Sequence, residues 1–221
     1  HVAQETVFEA MRPIRPEDVV RGRYSGYLDV EGVAHDSNTE TFVALRVYID
    51  SWRWSGVPFL IRAGKSLGAT ATEAVVVLKS PPLDLFGADL HGGSPPTQNR
   101  IRFRLGHHDG VQACVQALDP SSTGSMASTE VLLGVDFEHA LGRERLPYEQ
   151  LLGDALDGNM TRFATQGIIE GTWTALDAVV KNPPAVIDYQ PGTMGPDEAD
   201  GLTDGLVDWI EPIAGPSDRP A

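Results

Sequence analysis

The sequence predicts an α+β fold: a large, mainly antiparallel β-sheet with helices on one face. Two observations carry this. Between residues 38 and 137 short alternating apolar runs follow one another, separated by turn signals, and sustained helical periodicity comes only after residue 147. Strands first and helices afterwards favour a segregated α+β arrangement over the alternating βα units of a parallel sheet. The second observation is that no Gly-x-Gly-x-x-Gly occurs anywhere in the chain, so a doubly wound dinucleotide fold has no fingerprint here.

The chain of 221 residues suffices for one good core, and residues 1–221 read as a single domain. Hydrophobic content of 41% is ordinary for a globular protein, and no apolar run reaches the ~20 residues that a membrane span needs. A single cysteine, Cys114, excludes an internal disulfide, and no basic-then-apolar start marks an export signal; a cytoplasmic protein is the expectation. The net charge of −14 disfavours general affinity for nucleic acid or an anionic membrane. It also makes any local cationic group more informative.

In chain order, Thr6 to Met11 reads as the last turns of a helix stopped by Pro13 and Pro16, so residues 1–16 read as a linker helix already under way at His1. Pro16 to Val20 has a helix-start composition, and Tyr24 to Leu28 reads as the beginning of a strand. Phe42 to Ile49 alternates with both faces largely apolar, so this strand should be covered on both sides, Arg46 being the polar exception. A connection carrying Trp52 and Trp54 follows, then a second strand, Phe59 to Ala63, entered by Pro58. Glu73 to Lys79 is a third, β-branched and expected to be buried. Leu83 to Phe86 is short and apolar, and Gly92 to Pro96 is a loop.

Asn99 to Leu105 alternates most cleanly: Ile101, Phe103 and Leu105 point one way, Arg100, Arg102 and Arg104 the other. A turn at Gly106 to Gly110 leads to its hairpin partner, Val111 to Leu118; a loop at Asp119 to Met126 precedes a strand from Ser128 to Phe137, with Gly134 a candidate bulge. The strands from Phe42 through Leu118 are expected to share one sheet. Two helices follow, Tyr148 to Leu156 and Thr165 to Val180. The second carries a stripe of Ile168, Ile169, Thr172, Trp173, Leu176, Val179 and Val180. Trp52, Trp54 and Trp173 are expected in the core or an interface. Residues 190–221, rich in proline, glycine and aspartate, form an irregular tail expected to wrap the surface or fray.

Lys65 is the first candidate for chemistry: an ammonium delivered at a strand end, suited to a phosphate monoester, against the alternative of a plain surface lysine. Gly64-Lys65-Ser66 is not a nucleotide-triphosphate loop, because Phe59 stands where that loop needs glycine and a turn follows where it needs a helix. The arginine stripe is the second candidate, for an anionic ligand or for ion pairs with the abundant carboxylates. The histidines form no metal set: His107 and His108 are adjacent in a turn, and His35, His91 and His139 lie in apparent loops far apart. Cys114, among small apolar neighbours in a strand, reads as an inert buried thiol.

The stretch Thr39 to Lys65, with its tryptophans, Gly56-Val57-Pro58-Phe59 and Arg62-Ala63-Gly64-Lys65, closely resembles the C-terminal domain of glucose-6-phosphate dehydrogenase. Val19 to Tyr24, Pro147 to Leu152 and Tyr189 to Pro196, with Gly192-Thr193-Met194-Gly195-Pro196, agree with it. The resemblance covers nearly the whole chain. It implies an enzyme that oxidises glucose 6-phosphate to 6-phosphogluconolactone with NADP, at the head of the pentose phosphate pathway. An N-terminal Rossmann domain, absent from this chain, would hold the dinucleotide, and a histidine base would also lie upstream. It further implies that Lys65 contacts the sugar phosphate and that copies pair through the broad sheet, as a homodimer or dimer of dimers. Thr70 stands where many relatives carry a second basic residue; Arg62 either supplies that contact or is structural. Arg104 matches an arginine that some relatives use to hold a second, structural NADP. On this reading the chain holds no catalytic residue and turns over nothing alone. The alternative is a non-catalytic sheet module that binds an anionic partner through the arginine stripe.

Overall fold

In a computed structural model, the described residues are 2–80, 98–105, 109–118, 128–142 and 147–213. The expected apolar run and loop within 83–96, the turn at 106–108 with its two histidines, the loop at 119–126 and the last part of the tail lie outside them. Among the described residues no helix is long and apolar enough to cross a membrane.

Contacts cluster into two compact units, His1–Ala69 with Pro147–Trp209, and Thr70–Leu146 with Ile210–Ala221. Each contains one four-stranded sheet. The strands expected to share a single sheet therefore divide: β2 (Phe42–Val47) and β3 (Phe59–Gly64) belong to the first, β4 (Glu73–Val77), β5 (Arg100–Arg104) and β6 (Gly110–Leu118) to the second. The break falls in the connection after Gly64, because among the described residues β3 pairs only with β2 and β4 only with β5, each an edge.

The first sheet has the order β3-β2-β1-β8. β1 (Val19–Tyr24) runs antiparallel to β2, with Val19 opposite Leu45, and parallel to β8 (Val186–Tyr189), with Gly22 opposite Ile187. Neither β1 nor β8 was legible as it stands. Pro16–Asp18 does begin a helical turn, but only a 3-10 turn, since β-branched Val19 and Val20 leave it at once to pair with β2. Tyr24 ends that strand rather than starting one. Gly26 turns the chain at φ +93°, and Tyr27–Asp29 closes into a second 3-10 turn.

Both faces of β2 are covered, as its double-sided apolar pattern requires. On one face Val43, Leu45 and Val47 pack with Val19, Ile14, Phe59, Leu176 and Val179. The last two come from α4 (Gln166–Lys181), whose N-cap Thr165 accepts a hydrogen bond from the Ile168 amide. On the other face Phe42 and Ala44 pack with Tyr189, Ala199, Leu202 and Trp209. Residues 190–209 of the expected tail are thus part of the core, folded over the sheet through the 3-10 turn Asp197–Thr203. Arg46 shares this face and pairs with buried Asp18 at 2.7 Å. α1 (Val2–Glu9) packs on α4 and ends before Met11, which forms a bridge to Ile49 instead.

The second sheet, β4-β5-β6-β7, is antiparallel throughout and includes β7 (Ser128–Asp136). Phe137, placed in that strand by its apolarity, opens the short helix α2 (Phe137–Leu141). Gly134 makes no bulge: it sits in unbroken register opposite Gln112, whose Cγ would lie 3.2 Å from an added Cβ. The faces segregate as the alternation of β5 demands. Val76, Ile101, Ala113 and Leu133 are successive cross-strand partners on one face; Arg102 and Gln112 are partners on the other. The expectation of a buried β4 fails because Val76 and Leu78 are exposed on an edge strand. α3 (Pro147–Leu156) belongs to the first unit. Of the three tryptophans expected in the core or an interface, Trp54 is engaged, edge-on to Phe59 at 5.3 Å, whereas Trp52 and Trp173 lie outside the core of this chain and are exposed.

Candidate phosphate-binding turn

β3 ends at Gly64, and the next residues, Lys65 to Gly68, turn the chain at the sheet edge. The turn is fixed from three sides. The Lys65 amide donates to the Thr41 carbonyl at 2.8 Å, continuing the β2–β3 ladder. The Lys65 carbonyl accepts from the Tyr189 hydroxyl at 2.6 Å, and that hydroxyl also lies 3.3 Å from Thr41 Oγ1. Ser66 takes the left-handed conformation, φ +52°, uncommon for a residue with a side chain. Its carbonyl accepts from the Gly192 amide, and the Gly68 amide donates to the Thr193 carbonyl, both at 2.8 Å. Gly68 must be glycine because a Cβ would lie 2.7 Å from the Gly192 oxygen. The segment Gly192 to Pro196 is thus the brace of the lysine turn.

The Lys65 side chain is exposed, and among the described residues its ammonium has no ion-pair partner. It borders an open hollow lined by Tyr24, Tyr27, Glu40, Thr41, Phe42 and Ser66. Glu40 is the carboxylate of this lining, and Arg21 already claims it at 2.7 Å. The hydrogen bond from Arg21 holds the Glu40 carboxyl below its ordinary value, against some opposition from burial. Among the described residues the lysine therefore offers a positive charge that no carboxylate offsets, in a chain of net −14.

The other sequence candidates fall elsewhere. Arg62 lies within β3, opposite Ala44, and its guanidinium stacks over the Trp209 ring at 5.0 Å, bracing the core beneath the sheet. Thr70 is exposed and opens the other unit. In the second unit each arginine of the stripe faces a carboxylate: Arg100 meets Glu130, Arg102 meets Glu73, and Arg104 lies 3.6 Å from Asp136. Arg102 and Glu73 are buried beneath the C-terminal segment, where the Glu211 carbonyl accepts from Arg102 and the Ile213 amide donates to Glu73. Among the described residues each guanidinium of the stripe is thus offset by a carboxylate, which weakens the case for an anion-binding sheet. A phosphate-bearing ligand at Arg104 would have to compete with Asp136. Cys114 is buried and free. Among the described residues no group of three or more His, Cys, Asp or Glu is placed to hold a metal.

Sequence reasoning passed over Tyr189, Thr41 and Gly68 as parts of the site. The glycine-rich run at Gly192 to Gly195 was a visible signal, but its use as a brace depends on β8 lying beside β1, which no local pattern announces.

The chain matches a family model for the C-terminal domain of glucose-6-phosphate dehydrogenase over residues 1–209. It is 39% identical over 206 residues to the glucose-6-phosphate 1-dehydrogenase 1 of Mycobacterium bovis and to that of Mycobacterium tuberculosis, covering 93% of this chain and 42% of each relative. The glucose-6-phosphate 1-dehydrogenase of Treponema pallidum is 33% identical, over 93% of this chain and 43% of its own length. The crystal structure of the Mycobacterium avium glucose-6-phosphate 1-dehydrogenase matches with a TM-score of 0.83 at 37% identity, covering 96% of this chain and 44% of that one. A glucose-6-phosphate dehydrogenase in complex with its substrate glucose-6-phosphate matches with a TM-score of 0.76 at 25% identity, over 94% of this chain and 44% of that one. The chain thus spans a little over two fifths of the proteins it resembles, and it belongs to the glucose-6-phosphate dehydrogenase C-terminal domain family.

Proposed function

We propose that this chain is the C-terminal part of an NADP-dependent glucose-6-phosphate dehydrogenase, and that Lys65 binds the phosphate of the sugar. The oxidation takes a hydride from C1 of glucose 6-phosphate and yields the lactone, feeding the pentose phosphate pathway in the cytoplasm. The dinucleotide does not fit the described residues of this chain. Their strands are antiparallel apart from β1 with β8, and no glycine fingerprint follows either. On this reading the NADP site and the base that takes the hydroxyl proton belong to the preceding part of the protein. This chain alone is expected to reduce no NADP.

One observation carries the role of Lys65: an exposed ammonium without an ion-pair partner among the described residues stands on a turn whose backbone is held by β2, β8 and the Gly192 segment. A point charge with three donors suits a phosphate monoester. Its remoteness from C1 makes it a source of binding energy rather than a participant in the bond changes. The test is Lys65→Ala in the full-length protein. A charge-assisted hydrogen bond is worth about 1.5–3 kcal/mol, so kcat/KM for glucose 6-phosphate should fall roughly 10- to 150-fold, chiefly through KM. Free glucose should lose almost nothing and the KM for NADP should hardly move. Thr70→Arg should strengthen sugar-phosphate binding if a second cation is wanted there. Equal losses for glucose and glucose 6-phosphate would make Lys65 structural.

The same reading includes a homodimer formed through the second sheet. That sheet leaves an apolar face open, with Val76, Phe103, Val131, Leu133 and Val135 all exposed.

A further inference from the structure

Two helices of the first unit turn apolar stripes toward solvent. In α3, Tyr148, Leu152 and Leu156 recur at four-residue spacing and all are exposed, Leu156 to 89%. In α4, Ile169, Trp173 and Val180 keep helical spacing while Ala175 and Val179 are buried in the core; Trp173 is 62% exposed. Met160, in the connection between the helices, is exposed as well. A helix that buries one stripe ordinarily turns polar residues outward. Single exposed apolar residues are common, but period-matched sets on successive helices mark a surface that another element covers.

We infer that these stripes seat the part of the protein that precedes this chain, an inference that rests on reading the chain as the C-terminal part of a longer enzyme. Two features select this occupant. More than half the length of the relatives lies outside the match, and the matched family model is a C-terminal domain, so that length precedes it. The path of the chain agrees. α1 runs beside α4 in the same direction: the Thr165 hydroxyl donates to Glu5 at 2.5 Å, and Phe8 sits against Gly171. Whatever precedes Val2 therefore arrives beside the first turn of α4, one turn from Ile169. Such a segment need not travel to reach the stripes.

The experiment is cysteine labelling in the full-length protein. Leu152→Cys and Ile169→Cys are compared with Trp52→Cys, at a position that is 100% exposed, each above the background of the unsubstituted protein. With a covered seat, maleimide should modify positions 152 and 169 at least about tenfold more slowly than position 52. As a second measure, Trp173→Lys in the full-length protein should lower the unfolding midpoint, because a charge then enters a buried contact. Labelling of all three positions at similar rates would overturn the proposal. So would protection that disappears on dilution to monomers, which would assign the seat to a second copy. Glucose 6-phosphate oxidation is followed on the same proteins. Protection without oxidation would remove the functional reading and leave the seat; oxidation with uniform labelling would remove the seat alone.

Discussion

A single methyl group tests how the lysine turn is held. Gly195 sits at φ +110°, and a Cβ built there would lie 2.4 Å from the Phe42 ring. Phe42 is the largest fully buried side chain of the described core, so it has no room to yield. Gly195→Ala therefore combines a backbone conformation that L-residues resist with overpacking against an aromatic ring, at a cost of about 2–4 kcal/mol. The cost should appear as a lower urea midpoint. Because Gly192 and Thr193 hold Ser66 and Gly68, the KM for glucose 6-phosphate should rise with it. A variant as stable as the parent would mean that Phe42 and the brace relax together, and the argument for a rigid turn would fail. The residue scale also marks the limit of sequence reading. Lys65 is singled out as a candidate by the Arg-x-Gly-Lys run, whereas Tyr189, whose hydroxyl holds the Lys65 carbonyl, lies 124 positions away. No spacing rule links the two.

At the scale of elements, the strands whose two faces differ were the legible ones. β5 announced an apolar and an arginine face, and the structure has both. β2 announced cover on both sides and is buried on both. β1 was misread because Pro16-Glu17-Asp18 carries helix-start chemistry while Val19 and Val20 carry strand chemistry, and pairing with β2 decided between them. The junction is secured by Asp18, which accepts from Arg15 Nε at 2.8 Å and from Arg46 Nη2 at 2.7 Å. Burial alone would raise the Asp18 pKa, but the hydrogen bonds from Arg15 and Arg46 outweigh it and hold the carboxyl below its ordinary value. A lowered folded-state pKa gives stability that is fully present above the unfolded value, near about pH 4, and is lost as pH falls through the folded value. Asp18→Asn should therefore cost about 1.5–3 kcal/mol at pH 7. The gap between variant and parent should close as the pH drops below about 4. Urea midpoints at pH 7 and pH 3 measure it, and a gap that stays constant would show that the charge on Asp18 does not matter.

At the scale of the whole molecule, the two faces of the second sheet have different fates. On the arginine face each guanidinium is paired with a carboxylate of its own unit, and the Arg102–Glu73 pair lies under residues 211–213. The opposite face is apolar across all four strands, from Val76 through Ile101 and Ala113 to Leu133, with Leu133 59% exposed. An open sheet face of this composition is an aggregation hazard unless something covers it. The proposed two-fold pairing would cover it with itself, because a self-complementary patch meets its own copy. That symmetry sharpens the test. One substitution changes the interface twice, so Leu133→Glu in the full-length protein removes two buried leucines, each worth about 1.5–3 kcal/mol. Two carboxylates must also be desolvated or repel. The dissociation constant should rise by roughly two to four orders of magnitude or more on the transfer contribution alone. Sedimentation at micromolar concentration should show a dimer for the parent and a monomer for Leu133→Glu. Arg100→Ala, on the opposite face and paired within its own sheet, should leave the dimer intact. A parent that sediments as a monomer, or a Leu133→Glu protein that stays dimeric, would place the association on some other surface.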